Sequence, residues 1–149
     1  MDKNLLKKSE VSFKDILNIV QAVSQVYPMI VLANLTKNTY TLLRDEGLLY
    51  NEVLDSGCYD DLIDDNVANI HKNYQQLFLE SFSREYLMKS FSDGKNEVYA
   101  ELYQKNENGV YHWVSVQAIQ IDNKDGDVCH ICLNRSLDGI VDVKHTNRR

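Results

Sequence analysis

The chain is short of proline, cysteine and positive charge. A single proline, Pro28, beside 9% aromatic residues argues against a disordered or low-complexity chain. The three cysteines, Cys58, Cys129 and Cys132, are odd in number and too few for the disulfide framework of a small secreted domain. Reduced thiols in a cytoplasmic setting are the economical reading. No apolar run approaches the length of a membrane span, and the first residues are too polar for a secretory signal peptide. Sixteen Lys+Arg against 22 Asp+Glu leave a formal net charge of -6, which speaks against general binding to nucleic-acid phosphates. The local basic tail of Arg135, Lys144, Arg148 and Arg149 reads as a solvated linker.

What is present fits one compact domain: 149 residues, 44% of them apolar, are enough to bury a continuous core without disulfides or a metal. After a polar opening, Phe13, Ile16, Leu17, Val20 and Val23 return at helical spacing, with Ile19 and Val26 widening the stripe. Ser12 and Asp15 supply a start resembling a capping box, and Pro28 ends the helix. Strand formers then fill Met29 to Leu35 and Asn38 to Leu43, joined through a short polar turn. Residues 44–70 read as mixed loop and short helix. Asp55, Asp60, Asp61, Asp64 and Asp65 make that segment acidic, and a solvated face explains them without a metal.

The spacing of Tyr74, Leu77, Phe78 and Phe82 predicts a helix over His71 to Phe82. A second runs from about Arg84 to Phe91, with Ser83 as N-cap and Gly94 as the stop. Three strands follow at Glu97 to Gln104, Tyr111 to Ile121 and Val128 to Asn134, separated by turns at Asn108-Gly109 and Asp125-Gly126. Short polar turns between successive strands predict an antiparallel meander. Together the elements predict an α+β architecture, one five-stranded sheet with helices on a face.

The segment Tyr111-His112-Trp113-Val114-Ser115-Val116, between Asn108-Gly109 and Gly126-Asp127-Val128, resembles the terminal half of a PAS sensory domain. The likeness extends back through Phe82-Ser83-Arg84-Glu85-Tyr86-Leu87 and Phe91-Ser92-Asp93-Gly94, and forward to Arg135-Ser136-Leu137-Asp138. More particularly it looks like the variant often found in bacterial multidomain signalling proteins, including those with diguanylate cyclase modules. The resemblance spans roughly Tyr27 to Asp138 and implies a five-stranded antiparallel sheet in the order 2-1-5-4-3. Two departures stand out: Ile70-His71 is followed by Lys72-Asn73 where the family often has a proline start, and Ser136 replaces the acidic residue usual after the terminal arginine.

Chemistry-bearing motifs are sparse. Cys129-x-x-Cys132 has the spacing of a zinc or thiol-exchange pair. In a strand, however, the two side chains diverge, which favours ordinary packing. His71, His112, His130 and His145 form no metal motif. Some PAS relatives hold haem through a histidine in the helical region, but no further haem signature accompanies His71. The Asn-Cys-Arg motif of flavin photosensors is missing as well, so no cofactor is assigned. No nucleophile elbow, HExxH or phosphate-binding glycine loop occurs, and the chain reads as noncatalytic.

The expected ligand site lies between the sheet and the short helices. Phe78, Phe82, Leu87 and Phe91 supply one wall, and Val98, Leu102, Val116 and Ile131 the other. The same residues would form a closed core in a domain without ligand. Phe13, Ile16, Leu17, Val20 and Val23 are the candidate dimerisation stripe, with packing inside one chain as the alternative. The expected organisation is therefore an N-terminal segment and helix over 1–28, a PAS-like sensory domain over 29–138, and a connector or tail over 139–149. The expected role is a sensory or regulatory module in bacterial signal transduction, coupled to an adjoining or separate effector. A stand-alone protein-interaction module with a filled core is the alternative.

Overall fold

The computed structural model describes residues 18, 19, 22, 26–45 and 55–138. The expected dimerisation residues Phe13, Ile16, Leu17, Val20 and Val23 lie outside that set, as does the connector over 139–149. After helical residues at 18, 19 and 22, the described elements run through β1 (Met29–Asn34) and β2 (Thr39–Asp45), then β3 (Ser56–Cys58). Three helices follow, α1 (Tyr59–Val67), α2 (Lys72–Phe82) and α3 (Arg84–Ser92), before β4 (Glu97–Lys105), β5 (Tyr111–Ile121) and β6 (Cys129–Ser136).

All six strands join one antiparallel sheet in the order β3-β2-β1-β6-β5-β4. Without β3 this is the expected 2-1-5-4-3 arrangement, since the last three strands are then the third, fourth and fifth. The sixth strand corrects the expectation of five: Ser56–Cys58, within the segment expected as mixed loop and short helix, pairs along the outside of β2. Gly57 lies opposite Tyr40, and a β-carbon there would sit 3.4 Å from the Tyr40 ring.

Strand alternation sorts the two faces. Met29, Val31 and Ala33 of β1, Val98, Ala100 and Leu102 of β4, and Val114, Val116 and Ala118 of β5 join one apolar cluster with the helices. From the helical side, Leu62 and Ile63 of α1, Phe78 and Phe82 of α2, and Leu87 and Phe91 of α3 close over it. Leu87, Leu102 and Val114 are wholly buried. Removing such contacts by truncation leaves a cavity as well as lost transfer energy, which makes this layer the main source of stability.

The helices also fasten to the β1–β2 turn. Asn38 takes a left-handed conformation, φ 58°, which its short polar side chain tolerates. Its Oδ1 accepts from the Asp60 backbone N–H at 3.0 Å, while its Nδ2 donates to the Asp60 carboxylate at 3.0 Å. Arg84 of α3 reaches the same carboxylate, Nε to Oδ1 at 3.2 Å. One turn residue therefore tethers the start of α1, and through Asp60 the start of α3.

At α2, helix formation begins one residue later than the sequence spacing predicts, because His71 is the cap. Its Nδ1 accepts from the Asn73 backbone N–H at 3.2 Å. This imidazole satisfies one of the backbone amides left open at the start of a helix. Ser83 stands at the N-cap of α3 as expected, but without a side-chain capping bond.

Candidate functional site

Between the sheet and α1–α2 lies a cleft of about 30 Å³, lined by Met29, Val31, Tyr59, Leu62, Ile63, Asn66, Phe78, Phe82, Val116, Cys132 and Asn134. That volume accommodates about one or two water molecules. Of the eight residues expected to line a pocket, Phe78, Phe82 and Val116 do so. Leu87, Phe91 and Leu102 sit in the surrounding core, and Val98 packs against it.

Ile131 belongs on the opposite face. It pairs with Leu32 and Ile119, while its neighbours His130 and Cys132 pair with Ala33 and Val31 of the core-facing row. The error is one of parity: a single residue of register exchanges the two faces of a strand. The helix-facing side of β6 therefore carries His130, Cys132 and Asn134, a polar row that an apolar lining pattern does not reveal. The signal was present in the alternation His-Ile-Cys-Leu-Asn.

Each member of that row is held without charge. His130 is fully buried, its ring edge-on to Tyr59 at 5.6 Å and tilted to Phe91 at 6.2 Å, and among the described residues neither ring nitrogen has a hydrogen-bond partner. Burial alone lowers its pKa to about 4, because the imidazolium would lose its water without gaining a counter-charge. Burial pushes the Cys132 thiol up to about 12, opposed only by the Asn134 hydrogen bond. Tyr59 is likewise raised by burial, and its hydroxyl donates to the Phe82 carbonyl at 2.6 Å.

The cysteine pair does not converge. Cys132 lines the cleft, whereas Cys129 accepts from Asn123 Nδ2 at 3.2 Å and sits, by alternation, on the other face. Among the described residues no group of three or more His, Cys, Asp or Glu is arranged to hold a metal ion. Buried and protonated, Cys132 lacks the thiolate character that thiol exchange needs.

Two further clusters lie away from the cleft. His71 stands within ring-contact distance of Tyr103 and Tyr111, at 5.7 and 5.2 Å, and Tyr103 also meets Trp113 at 5.2 Å. This aromatic patch fastens the start of α2 to the edge of the sheet, with the His71 N–H donating to the Tyr103 carbonyl at 2.8 Å. At the end of β6, His112 Nδ1 faces the Asp138 carboxylate at 3.0 Å and Ser136 Oγ at 3.2 Å. A carboxylate only accepts, so Nδ1 carries the proton. The Leu137 N–H donates to the Trp113 carbonyl at 2.8 Å, so the strand end is tied to β5 at two points.

No family model matches this chain, and no curated protein matches it. Among solved structures, it is similar to a sensory box histidine kinase/response regulator from Burkholderia thailandensis, at 14% identity and a TM-score of 0.51 over 87% of each chain. A domain of a light and redox sensing histidine kinase from Haloarcula marismortui aligns at 16% identity and a TM-score of 0.43, over 80% of this chain and 97% of that one. The PAS domain of a protein from Desulfitobacterium hafniense aligns at 13% identity and a TM-score of 0.34, covering 77% and 97%. Strand order and helix placement make the fold PAS-like and α+β. Among the described residues, no helix is long and apolar enough to cross a membrane.

Proposed function

We propose that the protein is a noncatalytic sensory or regulatory module of bacterial signal transduction, working in the cytoplasm and coupled to an effector that adjoins it or binds it. The observation that carries this reading is the sheet itself: six antiparallel strands in PAS-like order, with three short helices closing one face over a small, partly polar cleft. The sensory box neighbour supports it at the level of fold. Residues 29–138 would be the sensing unit, with 1–28 and 139–149 as the segments that pass the change onward.

In mechanism, a molecule or partner that binds one packing of the sheet and helices better than another would shift the balance between them by its differential affinity. The fastened end of β6, at His112, Ser136 and Asp138, is the place where such a shift would reach the segment beyond residue 138. Transmission through a homodimer built on Phe13, Ile16, Leu17, Val20 and Val23 belongs to the same reading, as does membership of a diguanylate cyclase-bearing protein.

Native mass spectrometry of the protein as isolated, followed by a metabolite screen read as thermal stabilisation, tests the proposal. A retained or stabilising small molecule is the expected result; a silent screen overturns ligand sensing. Sedimentation over a range of concentrations tests the dimer, and a persistent monomer opposes it. The small volume of the cleft favours a second reading, a protein-interaction module with a filled core. Capture of a protein partner by a chain that binds no metabolite would select that alternative.

A further inference from the structure

We propose that Asn108, at the tip of the β4–β5 hairpin, is a modification site: it deamidates spontaneously to aspartyl and isoaspartyl forms, at a rate set by the turn that holds Gly109. The inference does not depend on the sensory reading above.

Asn108-Gly109 is the one Asn-Gly pair in the chain. Both residues are exposed, and so is Val110 beside them. Glycine places no side chain beside its own backbone nitrogen and rotates through conformations closed to other residues. Here it takes φ 77°. Among the described residues the Asn108 side-chain amide makes no hydrogen bond; only its backbone N–H is engaged, donating to Asn106 Oδ1 at 2.9 Å. Other asparagines at turns and strand ends are held by contrast. Asn34 bonds the Asp127 carboxylate and the Lys37 N–H, Asn38 is bound twice to Asp60, and Asn123 accepts from the Asp125 N–H and donates to Cys129.

The reaction needs only water. The Gly109 backbone nitrogen, after giving its proton to hydroxide, attacks the side-chain carbonyl carbon of Asn108. A C–N bond forms within the chain, the bond to the side-chain nitrogen breaks, and that nitrogen takes a proton from water and leaves as ammonia. The cyclic succinimide that remains is opened by water at either carbonyl carbon. One opening gives aspartate; the other gives isoaspartate, in which the main chain runs through the former side chain. Either product adds a negative charge beside Glu107.

The fold restrains this chemistry. The Gly109 N–H donates to the Asn106 carbonyl at 2.9 Å, and Asn106 Oδ1 also accepts from the Val110 N–H at 3.1 Å. The attacking nitrogen has to leave the first of these bonds, so the closed turn holds the reaction back and opening releases it. An isoaspartyl linkage lengthens the main chain inside the loop closed by the Asn106 N–H and the Val110 carbonyl at 2.8 Å. Tyr111 follows directly, in ring contact with His71 at 5.2 Å, which places the altered loop next to the cap of α2.

The test keeps the full chain in mildly alkaline buffer over days and maps its peptides by mass spectrometry. The peptide carrying Asn108 should gain about 1 Da, the exchange of NH2 for OH, ahead of every other asparagine, and should become a substrate for isoaspartyl methyl transfer. Asn106→Ala removes the side-chain acceptor that holds Asn108 and Val110, and should speed the conversion by up to about tenfold, the worth of roughly one hydrogen bond. Gly109→Ala should abolish it over the same period. Alanine is strained at this positive φ, so the unaltered chain and Gly109→Ala are also compared in concentrated urea, where the difference between them should persist without the fold. Earlier conversion at another asparagine, or an equal rate in Gly109→Ala under both conditions, overturns the proposal. A rate in urea no faster than that of the folded chain overturns the restraint assigned to the turn.

Discussion

Neighbouring strands of one sheet present opposite chemistry to the same helices. Over the middle of β4 and β5 the inward residues, Val98, Ala100, Leu102, Val114, Val116 and Ala118, are apolar and belong to the cluster or pack against it, and the row turns polar only where it reaches Gln104 and His112. One strand away, β6 presents His130, Cys132 and Asn134. The apolar pair of strands can be explained by packing alone. The polar row costs stability in the core it sits in, because His130 buries two ring nitrogens that find no partner among the described residues.

Truncation on the apolar side should give the largest effect. Phe82 is 2% exposed, in tilted contact with Phe78 at 5.8 Å, and its carbonyl accepts from Tyr59. Phe82→Ala should cost about 3–5 kcal/mol in urea unfolding, through lost burial and the cavity left behind. A loss below about 1 kcal/mol would mean that the helices do not seal this face. The contrast between the two strands would then have no basis.

On the polar side, His130 makes stability depend on acid. Its pKa is lowered from 6.5 to about 4 by burial, so below pH 6.5 the unfolded chain takes up a proton that the folded chain refuses. Stability therefore falls as pH drops from 6.5 to about 4, by about 3 kcal/mol from this group, and flattens below that. His130→Leu should remove this part of the slope and leave the protein at least as stable at neutral pH, since neither ring nitrogen loses a partner. Urea midpoints of both proteins across that range provide the check, and parallel curves would show that the imidazole is solvated. The alkaline limb has the same origin: Cys132 and Tyr59 are both raised, so stability should fall as the unfolded thiol and then the unfolded phenol ionise.

The apolar side was the more legible from sequence. Helical spacing located Phe78, Phe82, Leu87 and Phe91, and short polar turns located the meander, because hydrophobic period and turn chemistry are local properties. The short strand Ser56–Cys58 was not legible. Three small residues carry no period, and what makes them a strand is the edge of β2. Hydrophobicity points Ile131 toward the core, but the core face of this strand is the polar one. His71 shows the same limit: its role as a cap depends on the Asn73 amide and on rings far along the chain. Cleft volume, and with it the choice between pocket and filled core, is a property of tertiary packing alone.

The rim that joins the two sides should respond more gently. Asn38→Ala places a β-branched-free but non-polar residue at φ 58°, and removes both bonds to Asp60. The expected loss is about 1–2 kcal/mol, made up of the helix-start contact and the backbone conformation. Asn38→Gly relieves the backbone and loses only the bonds, so it should be the milder of the two. The reverse ranking would show that the left-handed turn is not retained in solution.

An ion pair remote from both strands sets the floor of the scale. Lys89 Nζ lies 3.1 Å from Asp93 Oδ2 across one turn at the end of α3, with both side chains more than half exposed. Water screens such a pair, and two long side chains lose freedom by holding it, so Asp93→Asn should change stability by at most about 0.5 kcal/mol. The effect should shrink further in high salt. A loss comparable with that of the Asn38 variants would mean that the end of α3 is fastened by more than its own helix, and the contrast between β5 and β6 would have to be redrawn to include the α3–β4 connection that begins at Asp93.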